Sequence, residues 1–206
     1  MNSILAERTE TDQKVLQISA KIDAFEVYER PHGQRVAHIA DTLGIAFNLA
    51  SRDRFFLQQA ALLHDIGEMS MNRDYIKSNR VLAPDERLDL QRHPVIGEQD
   101  VSKLGLPRGI QLIVRWHHEW WNGSGYPDGL ENEQIPLAAR ILRVADTYAA
   151  MNAVRPYRGA YSVEDTKKYL VEWAGIEFDP AVVKAFLVIA QPQNSRPEPA
   201  ASLQLS

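Results

Sequence analysis

The sequence predicts an all-α protein that folds as a single helical bundle. Through most of the 206 residues, apolar side chains recur at the three- and four-residue spacing of helices. No segment alternates convincingly between apolar and polar residues, as a half-buried strand would. Pro, Ser and Gly residues separate the periodic segments at positions where helices begin or end. One domain is expected, because a chain of this length buries one substantial core.

The expected helices follow one another along the chain. They cover residues 3–28, about 31–43, 51–66, 84–92, 108–120, 137–152 and 162–173, with a last helix after Pro180. Ser51 is the expected N-cap of the third helix, which Gly67 ends. Ser162 and Asp165 resemble a capping box with the shorter acid. Residues 122–128 form a loop rich in Gly and Pro.

The composition excludes several classes of protein. The formal net charge of -4 gives no electrostatic basis for binding duplex nucleic acid or an anionic membrane surface. The absence of cysteine excludes disulfides, thiolate zinc sites and cysteine nucleophiles. The N-terminus lacks the apolar run of a signal peptide, and no apolar stretch is long enough to span a bilayer. A cytoplasmic protein without a membrane partner is therefore expected.

Five histidines and two aspartates are the candidate metal ligands. They are His32, His64, Asp65, His93, His117, His118 and Asp146. Imidazole and carboxylate ligands without sulfur favour two Fe or Mn ions and permit Zn, Co or Ni. His32 and His117 lie on apolar helix faces, where a single histidine is more often a hydrogen-bonded core residue. Several such residues in one chain favour a shared metal cluster that satisfies them together. His93 precedes Pro94, which places it at a helix junction.

The two aspartates are candidate metal ligands for different reasons. Asp146 has apolar neighbours on its helix, where an ionised carboxylate is costly unless it is paired or binds a metal. Arg140 or Arg143 could pair with it, but we expect both to lie on other sides of the same helix. Asp65 is expected at the C-terminal end of its helix, where the helix dipole disfavours a negative charge and a cation would offset it. The alternative for Asp65 is an ordinary exposed residue.

The pairs His64-Asp65 and His117-His118, followed by the string WWNGSGYPDGL, resemble the HD-GYP branch of the HD phosphohydrolases. The resemblance covers about residues 25–190. It implies an HD-type helical bundle with a GYP loop extension, preceded by an N-terminal helix over residues 1–24. The polar, proline-bearing segment 191–206 is expected to be disordered.

The resemblance also implies an activity and roles for individual residues. The expected reaction is hydrolysis of cyclic di-GMP to linear pGpG, with GMP as a further product. Asp65 would bridge two metals, which hold a hydroxide that attacks phosphorus in line. Tyr126, Arg155 and Arg158 are the implied substrate-binding residues, since two guanidinium groups can grip a phosphodiester. From the residues alone, a solvated basic loop is an equally good interpretation of the two arginines.

Three positions depart from the family pattern. Glu68 stands where the family usually has lysine, and it is our second candidate catalytic residue after Asp65. It could oppose the substrate's charge, act as an extra metal ligand, or face solvent. Ala149 replaces a common aspartate, so a partner for substrate or water is missing. Tyr28 replaces the glutamate of members with three metals, although Glu29 or Glu68 could compensate.

These departures keep a second function open. Glu68 and Ala149 favour a catalytically weak module that binds cyclic di-GMP, or that docks a partner signalling protein through the loop around Tyr126. A third interpretation is an HD hydrolase of another nucleotide, which the Gly125-Tyr126-Pro127 loop argues against. Turnover by metal-loaded protein separates the enzyme from the binding module.

Overall fold

The computed structural model describes residues 2–78, 80–154 and 159–190. Arg155, Arg158 and the segment 191–206 lie outside these residues. The described helices are α1 (Asn2–Phe25), α2 (His32–Ala46), α3 (Ser51–Leu63), α4 (Ile66–Met71), α5 (Pro84–Leu90), α6 (His93–Lys103), α7 (Arg108–Trp116), α8 (Leu137–Met151), α9 (Val163–Glu172) and α10 (Pro180–Ile189). Short 3-10 helices cover Asp74–Lys77 and Asn132–Gln134. Within the described ranges the chain forms isolated bridges but no strand, so the all-α prediction is confirmed.

Two of the helix starts illustrate how the sequence sets the boundaries. Ser162 caps α9 as predicted, because its side chain accepts a hydrogen bond from the backbone N–H of Asp165. Asp179 caps α10 in the same way, through the N–H of Ala181. Ser51, by contrast, is not an N-cap. Ala50 occupies that position, and no side chain caps the start of α3.

The third predicted helix is in fact two helices. We expected one helix from residue 51 to residue 66, ended by Gly67, but α3 ends at Leu63 and α4 begins at Ile66. Asp65 lies between them with non-helical backbone angles of φ -100 and ψ 16. It therefore stands at the N-terminal end of α4 as well as beyond the end of α3, so the expected unfavourable helix-dipole effect is wrong.

Two further boundaries differ from the prediction. The helix expected over residues 108–120 ends at Trp116, so His117 and His118 lie in the turn that follows it. His93 is indeed at a junction, since it begins α6, a helix that the sequence analysis did not identify. Pro94 is tolerated there because the first residues of a helix need no backbone donor.

The core lies between α2, α3, α7 and α8, with α10 packed on α2 and α8. Its fully buried members include Leu43, Leu57, Leu63, Ile110 and Leu142. His32 and Asp146 lie on α2 and α8, and His64 and His117 directly follow α3 and α7, so the core fixes the positions from which these side chains project. The α4 and α6 helices pack against each other at one edge of this core.

Gly67 determines how closely α4 and α6 approach. A Cβ atom at Gly67 would overlap the backbone carbonyl of His93, and it would lie 2.8 Å from the backbone nitrogen of Gly97. Because both obstacles are backbone atoms, neither can rotate away. A side chain at position 67 must therefore push the two helices apart, and both of them border the candidate ligands Asp65 and His93.

We expect Gly67→Ala to lower the free energy of unfolding by about 2–3 kcal/mol, since the added methyl group overpacks a helix crossing. Urea unfolding measures this change. Gly159→Ala is the matched control, because nothing lies within 4 Å of a Cβ built there, and its effect should stay within about 0.5 kcal/mol. Equal effects of the two substitutions would contradict this account of the crossing.

Candidate metal centre

The structure brings all seven predicted ligands together in two adjoining groups. One group contains Asp65, His93, His117 and His118, and the other contains His32, His64 and Asp146. Within each group the candidate ligand atoms lie within 4.8 Å of one another. Six of the seven residues are buried, and His118 is partly buried. The seven residues predicted as metal ligands therefore do lie close together.

Asp65 lies between the two groups. Its Oδ2 is 2.9 Å from Nε2 of His64, which belongs to the other group. Its Oδ1 is 3.4 Å from Nε2 of His93 and 3.6 Å from Nε2 of His117. Because each carboxylate oxygen faces a different set of imidazoles, Asp65 has the geometry of a bridging ligand.

Asp146 joins the two histidines of the second group. Its Oδ1 is 3.2 Å from Nε2 of His32 and 3.6 Å from Nε2 of His64. Asp146 is only 9% exposed. The expectation that this carboxylate is buried among site residues, rather than free on the helix surface, is therefore met by its position.

Backbone carbonyls orient three of the imidazole rings. Nδ1 of His64 lies 2.8 Å from the carbonyl of Ala61, and Nδ1 of His93 lies 2.8 Å from that of Leu90. Nδ1 of His117 lies 2.6 Å from the carbonyl of Val114. A carbonyl can only accept, so each Nδ1 donates, and in the neutral form of each ring Nε2 keeps its lone pair, as metal-binding histidines require.

A second observation also indicates that these residues fit a divalent metal, namely a buried nitrogen without a hydrogen-bond partner. Nε2 of His64 is buried and makes no hydrogen bond with any described residue, although two carboxylates lie near it. A buried polar atom without a partner is costly. A cation between His64 and the two aspartates would satisfy it and would balance their charge.

The electrostatics of the cluster differ between its two groups. Burial opposes the charged form of Asp65 and Asp146, but the neighbouring histidines outweigh it and hold the pKa of both carboxyls well below the usual range. Burial lowers the pKa of His93 to about 4, with a contribution from His117. Burial, His117 and Arg143 likewise lower the pKa of His118. The last two rings are therefore neutral near pH 7, the form that binds metal.

Arg143 is a neighbour of the cluster that the sequence analysis placed wrongly. We expected it on another side of α8 from Asp146, but its Nη1 lies 3.8 Å from Asp146 Oδ2 and 2.9 Å from Nδ1 of His118. It also forms an ion pair with Glu177, whose other oxygen accepts a hydrogen bond from Tyr169. Residues three apart are neighbours on a helix surface, so the spacing of Arg143 and Asp146 does allow this contact. Arg140 points away as expected and pairs with Asp179.

The loop after His118 is built around the buried side chain of Glu119. One oxygen of its carboxylate accepts from the backbone N–H of Asp128, and the other accepts from that of Leu130, at 2.7 and 3.0 Å. These contacts hold the loop so that the Tyr126 ring stacks on His118, with ring centroids 4.9 Å apart. Burial raises the pKa of Tyr126, so its hydroxyl remains protonated. The sequence analysis did not identify Glu119, although a glutamate directly after a ligand pair was a visible signal.

An open cavity of about 280 Å³ adjoins the cluster, and Asp65, His118 and Asp146 form part of its wall. Glu68 also lies on this wall, with Oε1 4.0 Å from Nδ1 of His93. The sequence analysis missed Glu26, which is buried on the same wall and follows the end of α1.

The two other departures from the family pattern also have definite positions. The Tyr28 ring stacks on His32, at a centroid distance of 4.1 Å and an angle of 3° between the rings. Glu29 is exposed, so its position does not suit the compensating role suggested for it. Ala149 is fully buried in the core. A carboxylate buried at position 149 would need a partner to offset its loss of hydration.

The geometry agrees with what comparison with known proteins finds. The family model for the HD domain matches residues 20–182. This chain belongs to the HD domain family. A response regulator of Xanthomonas campestris, named cyclic di-GMP phosphodiesterase response regulator RpfG, is 38% identical over 157 residues, which are 75% of this chain and 41% of that protein. The resemblance predicted from the motifs is confirmed.

Other relatives extend the range of named substrates. A protein of Vibrio cholerae named 3'3'-cGAMP-specific phosphodiesterase 3 is 30% identical over 86% of this chain and 38% of its own length. The crystal structure of a cyclic GMP-AMP specific phosphodiesterase from the same organism superimposes with a TM-score of 0.69 at 19% identity, covering 86% of this chain and 48% of that one. This chain thus spans less than half the length of these relatives. Among the residues described, no helix is both long enough and apolar enough to cross a bilayer.

Glu119→Gln tests the role of the buried carboxylate in the loop. An amide offers one acceptor atom and turns its NH2 group toward one of the two backbone donors, so one hydrogen bond is lost. We expect a loss of about 1–3 kcal/mol in the free energy of unfolding and faster hydrogen exchange at the amides of Asp128 and Leu130. Glu133→Gln, at an exposed position of the following 3-10 helix, should change neither. Unchanged exchange in Glu119→Gln would refute this role.

Proposed function

We propose that this chain is a metal-dependent phosphodiesterase that hydrolyses cyclic di-GMP to linear pGpG, with GMP as a further product. The observation that carries the proposal is the position of Asp65, whose two oxygens face two separate sets of imidazoles. Relatives at 38% and 36% identity are named cyclic di-GMP phosphodiesterases, which supports this choice of substrate. We also propose that the protein acts in the cytoplasm.

We propose two metal ions, Fe or Mn, because the ligand set contains imidazole and carboxylate groups and no sulfur. Bound metals of this kind activate water and stabilise the charge that develops on the phosphoryl oxygens. The protein's own groups position the substrate. Tyr126 retains its proton and can donate a hydrogen bond to a phosphoryl oxygen, since its ring is fixed on His118. Arg155 and Arg158 remain proposed phosphate-binding residues.

One observation favours a second candidate function. Glu68 places a carboxylate on the wall of the cavity beside His93, at the position where the resemblance implies a lysine. A negative charge at this position opposes an anionic substrate, so turnover could be too slow to matter. The chain would then bind a cyclic dinucleotide, or dock a partner signalling protein through the loop around Tyr126, without acting as an effective enzyme.

Anaerobic purification, metal analysis and an assay after loading with Fe or Mn decide between the two functions. Cyclic di-GMP and 3'3'-cGAMP are offered separately, and the products are separated by chromatography. Formation of pGpG from cyclic di-GMP is the expected result. Binding of cyclic di-GMP without turnover would support the binding module, and cleavage of 3'3'-cGAMP alone would replace the proposed substrate.

Asp65→Ala should remove both metals, because a bridging carboxylate contributes to both sites. His32→Ala should remove one metal, since His32 faces only the group that contains Asp146. Metal content per chain, measured by mass spectrometry on reconstituted protein, should fall from two to about zero in the first variant and to about one in the second. Retention of both metals in Asp65→Ala would show that this carboxylate does not bridge.

Glu68→Lys should raise substrate affinity or turnover while leaving the metal content unchanged. The substitution replaces a negative charge by a positive one, a change of two charge units about 10 Å from an anionic substrate, which is worth about 3 kcal/mol at an effective dielectric constant of 20, or about a hundredfold in kcat/KM. A loss of one metal would instead identify Glu68 as a ligand. Unchanged metal content and kinetics would show that the side chain is functionally silent.

A further inference from the structure

A second side of the cavity is formed by the segment between α4 and α5. Its described residues include Tyr75, Ile76, Lys77, Ser78, Arg80 and Leu82. This segment carries two cationic side chains to a cavity whose wall also holds Asp65, Glu68 and Asp146. The proposed function does not use either cation.

The two cations differ in how they are paired. Arg80 is occupied, because Nη1 and Nη2 contact both carboxylate oxygens of Glu86. The Arg80 guanidinium and the N–H of Ala83 lower the pKa of Glu86 to about 2, so this pair persists over the whole neutral range. Lys77 forms no ion pair with any described carboxylate. Its ammonium lies over the Phe25 ring, 4.2 Å from the ring centroid.

The contact with Phe25 gives Lys77 a defined position and leaves its charge available. A cation over an aromatic face is attracted to it, which restricts the long side chain without neutralising it. The ammonium group has three donors, of which an aromatic face can use only part. Lys77 is exposed, whereas the candidate ligands are buried. It therefore stands at the rim of the cavity, away from the reacting centre.

A cyclic dinucleotide carries a second negative charge, which a cation at the position of Lys77 can balance. It contains two phosphodiester groups, and hydrolysis at the metal centre engages one of them at a time. The other keeps its negative charge and must lie within a cavity whose wall carries Glu68 and Glu26. Because both side chains are acidic, a cation from another element of the wall would offset their charge.

We propose that Lys77 binds the second, non-reacting phosphodiester of the cyclic dinucleotide and thereby favours substrates that contain two such groups. This inference rests on the proposed function. Lys77 is then a substrate-binding residue supplied by the 3-10 helix Asp74–Lys77. It makes no contact with the bond that breaks, so its effect falls on KM and on the choice of substrate rather than on kcat.

Lys77→Met separates the charge from the packing, since the methionine side chain still covers the Phe25 ring. The metal-loaded protein is assayed on cyclic di-GMP and on bis(p-nitrophenyl) phosphate, which has a single phosphodiester. We expect kcat/KM for cyclic di-GMP to fall about tenfold through KM, the lower end for loss of a charge-assisted hydrogen bond. Turnover of bis(p-nitrophenyl) phosphate, metal content and Tm should not change. Lys77→Arg should retain most of the parent activity.

Lys103→Met is the matched control, because Lys103 is exposed and pairs with Asp100 on α6. It should change neither substrate's kinetics. Equal losses on both substrates in Lys77→Met, or no loss on cyclic di-GMP, would overturn the inference while leaving the proposed function intact.

A parent protein that turns over neither substrate refutes the proposed enzyme, and the inference is then decided by binding. Titration calorimetry should show cyclic di-GMP binding about tenfold more weakly to Lys77→Met than to the parent. Equal affinity, or no binding to the parent, would overturn the inference as well.

Discussion

The buried carboxylate of Asp65 is the constraint on which the rest of the site depends. It is 9% exposed and lies close to the imidazoles of His64, His93 and His117, which come from three different helices or turns. A buried negative charge is stable only when opposite charges or hydrogen bonds surround it. The break between α3 and α4 places Asp65 between the two helices, where its carboxylate lies close to both groups of imidazoles.

The backbone around the break supports this arrangement at several points. Gly67 lets α4 approach α6 closely, and α6 begins with His93, so one close approach brings a second ligand toward Asp65. Carbonyls near the ends of α3, α5 and α7 orient His64, His93 and His117. Carbonyls at helix C-terminal ends lack partners within their own helix. Using them to hold ligand rings satisfies the helix ends and the imidazoles together.

Helical periodicity was enough to predict the fold class and most helices, because both depend on local spacing. The seven candidate ligands were predicted from the family motifs together with core-facing positions, and the structure brings them close together. His32 and His117 were predicted on core-facing helix sides, and both are buried, although His117 lies in the turn that follows α7. The break at Asp65 could not be predicted in this way. It accompanies the close approach of Gly67 to α6, which is a contact between distant parts of the sequence. The same holds for Arg143, whose reach to His118 depends on Glu177, 34 residues further along the chain. The role of Glu119, which holds a loop in place, could not be predicted from periodicity either, because its partners are backbone N–H groups.

The contact between Arg143 and His118 gives this candidate ligand a different tautomer from the other three histidines whose ring contacts are described. A guanidinium group stays charged and has no acceptor, so Arg143 donates and Nδ1 of His118 accepts. In a neutral ring the hydrogen then resides on Nε2, whereas His64, His93 and His117 carry theirs on Nδ1. His118 can bind a metal through Nε2 only if it gives up the contact with Arg143. While the contact persists, the Nε2–H group is a hydrogen-bond donor at the cavity wall. Glu177 neutralises Arg143 and so allows a guanidinium to remain beside a cation-binding site.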